Sequence, residues 1–292
     1  MNLNEQNSEE NLRLLVAQRK TYTKAKWWSY SVLTFGFLAF IAQFFKDRVP
    51  DLGVWLSYVG LLSGLIVWLF DKATLKIVEK AAKIQEQFDT NVFNLPWNES
   101  KAGAKISKES ILEAAGDNKP PDDLLDWYAP NTLSNIHSNL AILLCQRYNS
   151  SWEFRLKKRF AVFMNCIFWL FIIGILVAGV WLNFSLKEWI LVMLAPASGL
   201  LYKIYDLQDA FKETGRDQES VFEECEKEIE SFKNTKIPPS VERLRLIQDK
   251  IFKYRSQKSL IPDWIYNLSR LGYQTRTTKA TSDIITELNK IV

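Results

Sequence analysis

Hydrophobic residues gather in four windows that contain no Asp, Glu, Lys or Arg: 27–45, 52–70, 160–186 and 189–202. A helix needs about 20 apolar residues to cross a hydrocarbon core of about 30 Å, and the first three windows meet that length. We therefore predict four transmembrane helices over 27–45, 52–70, 160–184 and 188–205. They form two hairpins, 27–70 and 160–205.

The fourth window is the shortest and contains Pro196 and Gly199. It reaches the length of a span only if Lys203 extends its ammonium to the membrane surface and the helix continues to about Tyr205. The alternative is a re-entrant or interfacial segment.

Lysine and arginine are concentrated on one side of these windows, while the two short connections between paired windows contain few of them. Positively charged residues near span ends mark the cytoplasmic side. We therefore predict that the segments 1–26, 71–159 and 206–292 are cytoplasmic.

The cytoplasmic segments show helical periodicity. The second span continues without Gly or Pro to about Phe88, a short helix is expected at 108–115, and Ser240 has the chemistry of a helix cap. Further helices are expected at 207–232 and from Asp263, and no sustained alternating pattern indicates a strand. The expected fold is an all-α membrane protein with a helical cytoplasmic region formed by the central loop and the carboxyl-terminal tail.

The averages of the 292 residues, 48% hydrophobic and 24% charged, conceal this division. One His and three scattered Cys provide neither a zinc ligand set nor a disulfide framework, and phosphate-binding loops and nucleophile elbows are absent from the sequence. We therefore expect no enzymatic activity and no cofactor. The windows also contain no Asp, Glu or His, which argues against a proton-coupled transporter. A net charge of +4 gives little reason to expect a DNA or RNA partner.

Two pairs of small residues at helical spacing, Gly60 with Gly64 and Gly174 with Ala178, permit close contact between membrane helices. Packing within one chain is favoured over contact between chains.

Several cytoplasmic motifs occur in a distinctive order. They are Glu10-Asn11-Leu12 and Ala17-Gln18-Arg19; then 83–89 (KIQEQFD) and 95–98 (LPWN); then Asp126-Trp127-Tyr128 and Cys145-Gln146-Arg147; then 246–249 (LIQD) and 262–266 (PDWIY). Together with the paired spans, this order resembles the SMODS-associated four-transmembrane effector family, the pore-forming effectors of bacterial cyclic-oligonucleotide-based anti-phage signalling (CBASS). The resemblance covers nearly the whole chain.

The resemblance implies a homo-oligomer in the bacterial inner membrane, activated by a cyclic di- or trinucleotide. Binding would open or assemble the spans, disrupt the membrane and cause abortive infection. The alternatives are a membrane-anchored nucleotide sensor or scaffold that signals through a partner without forming a pore and, less favoured, a membrane enzyme or transporter.

A cyclic oligonucleotide presents phosphodiester anions and flat bases, which basic and aromatic side chains bind. The candidate ligand-binding residues are Trp97, Asn98, Trp127, Tyr128, Arg147, Arg155, Arg255 and Trp264. The alternative is that the aromatic residues pack the cytoplasmic core and the arginines pair with Asp89, Asp126 or Asp263.

Overall fold

The computed structural model describes residues 3–42, 50–117, 119–128, 133, 136–151 and 153–290. Within its helices, the side chains of residues 4, 39, 50–54, 56, 57, 59–61, 63, 64 and 268–278 are outside the description. The described residues are predominantly helical and contain no strand. The all-α fold is therefore confirmed for this part of the chain.

Ten helices follow one another along the described residues, and several continue far beyond the apolar windows. They are α1 (Glu9–Ala42), α2 (Pro50–Phe93), α3 (Glu99–Ala102), α4 (Lys108–Ala115), α5 (Ser138–Ser151), α6 (Glu153–Trp181), α7 (Leu186–Glu188), α8 (Ala195–Thr235), α9 (Val241–Arg255) and α10 (Asp263–Asn289). Single 3-10 turns occur at Leu3–Asn7 and Asp122–Leu124, and a π-helical segment, Trp189–Leu194, joins α7 to α8.

Two helical stretches among the described residues are long and apolar enough to cross a membrane, Ser138–Trp181 and Leu186–Thr235. The first two predicted spans lie in α1 and α2. Of the first, residues 43–45 are outside the described part. The arrangement of four spans in two hairpins therefore remains a prediction.

The fourth window is helical throughout. The π-helical segment leads into α8, where Pro196 lies in the first turn and does not interrupt the helix. The preceding helix α6 ends at Trp181, before the predicted limit of 184, because Asn183 adopts a left-handed conformation with φ of 50°. Ser185 then caps α7 through a reciprocal pair of bonds with Glu188.

Large hydrophobic side chains are exposed over the apolar windows. Phe35, Trp55 and Leu170 are each more than two-thirds exposed, whereas a small internal cluster forms around Phe40 and Met193. A surface of this kind is unfavourable in water and suits contact with lipid chains.

The remainder forms what we call the polar body: α3, α4, α5, α9 and α10 with residues 9–26 of α1, 71–93 of α2 and 206–235 of α8. Its core is built from side chains of α1, α2, α5, α8 and α9 that are fully buried, among them Leu15, Phe88, Leu143, Cys225 and Ile247. Because α1, α2 and α8 run from the apolar windows into this core, the two parts are joined by helices rather than by loops.

The small residues expected to pack membrane helices differ in their surroundings. A Cβ on Gly174 would meet no atom within 4 Å, because Gly174 lies on the exposed face of α6. The expected close packing at Gly174 is thus wrong within this chain. Ala178 packs against the internal cluster, and it is Gly179 that admits a close neighbour, the Trp189 ring. Gly60 and Gly64 belong to α2, but their side-chain surroundings lie outside the described residues.

Candidate functional site

A cavity of about 700 Å³ lies in the polar body, between α1, the turn at Asp122–Leu124, α5, the start of α6, the end of α9 and the start of α10. Its lining combines aromatic rings with charged groups. The aromatic residues are Tyr22, Trp127, Tyr148, Tyr254 and Tyr266; the basic residues are Arg19, Lys26, Lys157 and Arg255; the acidic residues are Asp123, Asp126, Glu153 and Asp263.

One wall of the cavity is a single face of α1. Gln18, Arg19, Tyr22, Thr23 and Lys26 line the cavity and recur at intervals of three and four residues. Residues at this spacing project from the same side of a helix. The helical periodicity of α1 therefore places two cations and a phenol ring along one line.

Each basic residue of the lining is paired with a carboxylate. The Arg19 guanidinium forms a two-pronged pair with Asp123, both N–O distances being 2.9 Å. The Lys26 ammonium lies 2.5 Å from Asp263.

The other two cations of the cavity are more buried. Lys157 lies 3.4 Å from Glu153 and 5.7 Å from the centre of the Tyr254 ring. Burial lowers the pKa of Lys157, and the charge of Glu153 opposes this shift. Arg255 donates to Asp89 at 2.5 Å, behind the cavity wall. Burial alone would lower the pKa of Arg255. The interactions with Asp89, Tyr254 and Tyr128 together outweigh burial and hold the pKa well above its ordinary value.

Asp89 is completely buried and organises the residues behind the wall. It accepts hydrogen bonds from the Tyr128 hydroxyl at 2.7 Å and from Gln248 at 3.1 Å, and Asn149 donates to the Tyr128 oxygen at 2.9 Å. Burial, reinforced by the charge of Asp89, raises the pKa of Tyr128 well above its ordinary value. Tyr128 therefore acts as a hydrogen-bond donor in the core.

A second buried carboxylate, Glu86, extends this arrangement. It accepts from Gln248 at 2.9 Å and from Arg245 at 2.5 Å, and Gln146 donates to the Gln248 oxygen at 3.1 Å. Burial raises the pKa of Glu86, while Arg245 partly offsets the shift. The motifs 83–89, 145–147 and 246–249 thus meet in one buried polar network. These three motifs therefore have a structural role in the polar body.

The predicted ligand-binding residues are distributed over several places. Trp127 and Arg255 line the cavity, and Tyr128 lies directly behind it.

The other five candidates lie elsewhere. The Trp97 indole donates to the Gly103 carbonyl at 2.9 Å, and Asn98 donates to Asp249 at 2.7 Å. Arg147 pairs with Glu226, whereas Arg155 and Trp264 are exposed. Since each position depends on tertiary packing, residue type alone could not separate these five from the cavity lining.

The sequence did not indicate Tyr22, Tyr254 or Lys157 as cavity residues. It indicated Lys26 only as a charge that precedes the first window, and Arg19 as such a charge and as part of the Ala17-Gln18-Arg19 motif. The available signal was the spacing of Arg19, Tyr22 and Lys26 on one helical face. Lys157 carried no such signal, because its three basic neighbours on the same turn look alike in the sequence.

A group of charges that we call the boundary cluster lies where the polar body meets the apolar windows. It consists of Asp71, Lys203, Asp206 and Lys258. Lys203 is completely buried and pairs with Asp71, while Lys258 lies 2.9 Å from Asp206 and 3.6 Å from Asp71. Burial opposes the charge on Lys258, but Asp206 and Asp71 outweigh it and raise the pKa of Lys258.

The boundary cluster joins three parts of the chain: the end of the second window, the end of the fourth, and the segment between α9 and α10. That segment also contributes Ser259, Leu260 and Ile261 to the cavity lining. This short segment therefore connects the cavity lining to the ends of two apolar helices.

Comparison with known proteins agrees with the order of motifs. The model of the SMODS-associating 4TM effector domain matches residues 3–284. A protein of Bacillus cereus (strain VD146), described as "Probable CBASS effector molecule", is 31% identical over 273 residues, which cover 90% of this chain and 91% of the relative. No solved structure was found to match. The resemblance inferred from the motifs is confirmed: the chain belongs to the SMODS-associating 4TM effector family.

Proposed function

We propose that this CBASS effector is a receptor for a cyclic oligonucleotide that disrupts the bacterial inner membrane when the nucleotide binds, causing abortive infection. The observation that carries the proposal is the cavity of about 700 Å³, lined by aromatic and basic side chains, in the polar body of a membrane protein. The effector acts without catalysis and without a cofactor.

The cavity matches the chemistry of a cyclic di- or trinucleotide. Phosphodiesters favour arginine and lysine, and flat bases stack on aromatic rings and guanidinium planes. Arg19, Lys26 and Lys157 provide the first kind of group, and Tyr22 and Trp127 provide the second. The volume lies within the range of about 300–1,000 Å³ that is usual for small-molecule sites.

The membrane part follows from the exposed hydrophobic side chains of the apolar windows. Four helices, in two hairpins with both termini in the cytoplasm, place the cavity on the inner side, where the second messenger is made. Copies of the chain assemble in the membrane, and nucleotide binding rearranges their helices into a pore. The exposed, open position of Gly174 on α6 provides a surface for close contact between such copies.

The experiment combines titration calorimetry with dye release from liposomes, using purified protein and a panel of cyclic di-AMP, cyclic di-GMP, cyclic GMP–AMP and cyclic tri-AMP. We expect one member to bind and to release dye. Binding without dye release would favour a membrane-anchored sensor or scaffold that signals through a partner. Absence of binding across a wider panel of cyclic oligonucleotides would contradict the proposal.

Lys157 and its neighbour Lys158 provide a matched pair of variants. Lys157 is 5% exposed and lines the cavity, whereas Lys158 pairs with Glu219 outside it. Because Lys157→Gln leaves the Glu153 carboxylate without its cation in the cavity, where it repels the phosphates, we expect the variant to bind nucleotide about tenfold or more weakly. Lys158→Gln should bind as the wild type does. Equal affinities for both variants would exclude Lys157 from the site.

A further inference from the structure

We infer that the ligand's phosphates bind Arg19 and Lys26 by displacing Asp123 and Asp263, so that these two carboxylates compete with the ligand for the two cations. The inference rests on the proposed function and adds to it a mechanism of regulation at the same site.

The charges that line the cavity are balanced. Its described lining contains four basic residues, Arg19, Lys26, Lys157 and Arg255, and four acidic residues, Asp123, Asp126, Glu153 and Asp263. A ligand with two phosphodiesters adds two negative charges. If all four carboxylates stayed in place, the anions would outnumber the cations, and like charges in a cavity repel strongly. Two carboxylates must therefore leave the cations that the phosphates take.

Exposure decides which pairs exchange. The side chains of Arg19 and Asp123 are 37% and 49% exposed, and those of Lys26 and Asp263 are 21% and 57% exposed. Separated carboxylates of this kind regain water, and such surface pairs contribute little to stability. The Arg255–Asp89 pair is 9% and 0% exposed, and breaking a buried pair is strongly destabilising. The outer pairs are thus the ones that a ligand displaces.

Geometry supports the exchange. Asp123 engages both terminal nitrogens of Arg19, and this planar fork accepts two phosphate oxygens as readily as two carboxylate oxygens. Lys26 lies two turns further along α1, a rise of about 10 Å, with Tyr22 between the two cations on the same face. Two anions on either side of a base can therefore reach both cations at once.

Displacement also has a structural consequence. Asp123 belongs to the 3-10 turn, and Asp263 is the first residue of α10, which has no side-chain cap. The Lys26–Asp263 pair ties this end of α10 to α1 immediately before the first predicted span. When a phosphate replaces Asp263 at Lys26, α10 is loosened from α1. The ligand-bound protein then has an arrangement that the protein without ligand disfavours.

The test uses Asp123→Asn and Asp263→Asn in the full-length protein, with calorimetry and dye release on the nucleotide panel named above. Since each variant removes a competitor for a cation, we expect the binding member of the panel to bind about three- to tenfold more tightly and to release dye at correspondingly lower concentrations. Glu9→Gln is the control, because it breaks an exposed pair with Arg13 on α1 that is not part of the cavity lining.

Unchanged or weaker binding by both asparagine variants, with wild-type thermal stability, would overturn the exchange while leaving the proposed function intact. A wild-type protein that binds no cyclic oligonucleotide would instead overturn the proposed function, and the exchange with it. An equal gain in affinity in Glu9→Gln would also contradict the inference, since it would reveal a general effect of charge.

Discussion

Gln248 connects the two buried carboxylates of the polar body. Its side-chain nitrogen donates to Glu86 at 2.9 Å and to Asp89 at 3.1 Å, and its oxygen accepts from Gln146. Buried carboxylates depend on such donors, because an unsatisfied charged group in a core is costly. The residues that make the chain recognisable as a family member thus include those that allow two acids to be buried.

We expect Gln248→Leu to lower the free energy of unfolding by about 2 kcal/mol or more, because it removes a donor from both carboxylates. Leu246→Gln is the control, since Leu246 lies on the exposed side of the same helix. The measurement is thermal unfolding in detergent followed by circular dichroism. Equal midpoints for both variants would show that the network contributes little.

For individual residues, the sequence predicted the types of residue at the cavity better than their positions in the fold. Trp127 and Arg255 were expected to bind a ligand and do line the cavity. Arg147 was chosen on the same grounds, but pairs with Glu226 elsewhere. Both arginines carry the same charge, and only the packing of α9 against α2 and of α5 against α8 decides which carboxylate each one meets. That information is tertiary and is not present in local sequence.

At the scale of elements, local chemistry predicted more. Ser107 and Ser240 accept bonds from backbone N–H groups at the starts of α4 and α9, and α4 has the predicted bounds of 108–115. Local patterns predicted a span over 188–205 and a helix over 207–232, but not that one continuous helix, α8, covers most of both ranges and includes Pro196. The Pro196 ring is accommodated at the junction between the π-helical segment and α8.

The segment between α9 and α10 is the element that relates the cavity to the boundary cluster. Leu260 in this segment accepts a hydrogen bond from the Tyr30 hydroxyl of α1 at 2.5 Å, and Lys258 reaches both Asp71 and Asp206. A shift of this segment therefore acts on α1, α2 and α8 together.

We expect Lys258→Gln to leave nucleotide affinity within about twofold of the wild type but to reduce dye release at saturating nucleotide about fivefold or more, because it cuts the charge contact between segment and spans. The control is Lys253→Gln, which breaks the exposed pair between Lys253 on α9 and Asp217 on α8. Full dye release by Lys258→Gln would show that coupling runs elsewhere.

At the scale of the whole molecule, the long helices α1, α2 and α8 join the polar body to the apolar windows. Because α2 extends from Pro50 to Phe93, a rotation of its part in the polar body, residues 71–93, is transmitted to the predicted second span. A rigid helix transmits such motion better than a loop. The predicted stalk to about Phe88 anticipated this connection from the absence of Gly and Pro.

We expect the double substitution Glu79→Gly and Lys80→Gly to weaken this transmission without shifting the register of Ile84 and Phe88. Each glycine costs a helix about 1 kcal/mol, so the stalk bends more readily at this point. Nucleotide binding should persist while dye release falls. Lys250→Gly with Lys253→Gly softens α9 instead and serves as the control. Equal dye release by the two double variants would contradict a role for stiffness in α2.

The four ion pairs of the cavity also bear on discrimination. A mononucleotide carries its phosphates at a single end. A mononucleotide reaches one outer cation, Arg19 or Lys26, at a time and leaves the other ion pair intact. Its gain in binding free energy over hydration by water is therefore small. A macrocycle with phosphates on opposite sides contacts both outer cations in one binding event. The second of these contacts is intramolecular. Under the proposed exchange, a cavity whose cations are already paired with carboxylates therefore discriminates against anions that reach only one of its two outer cations.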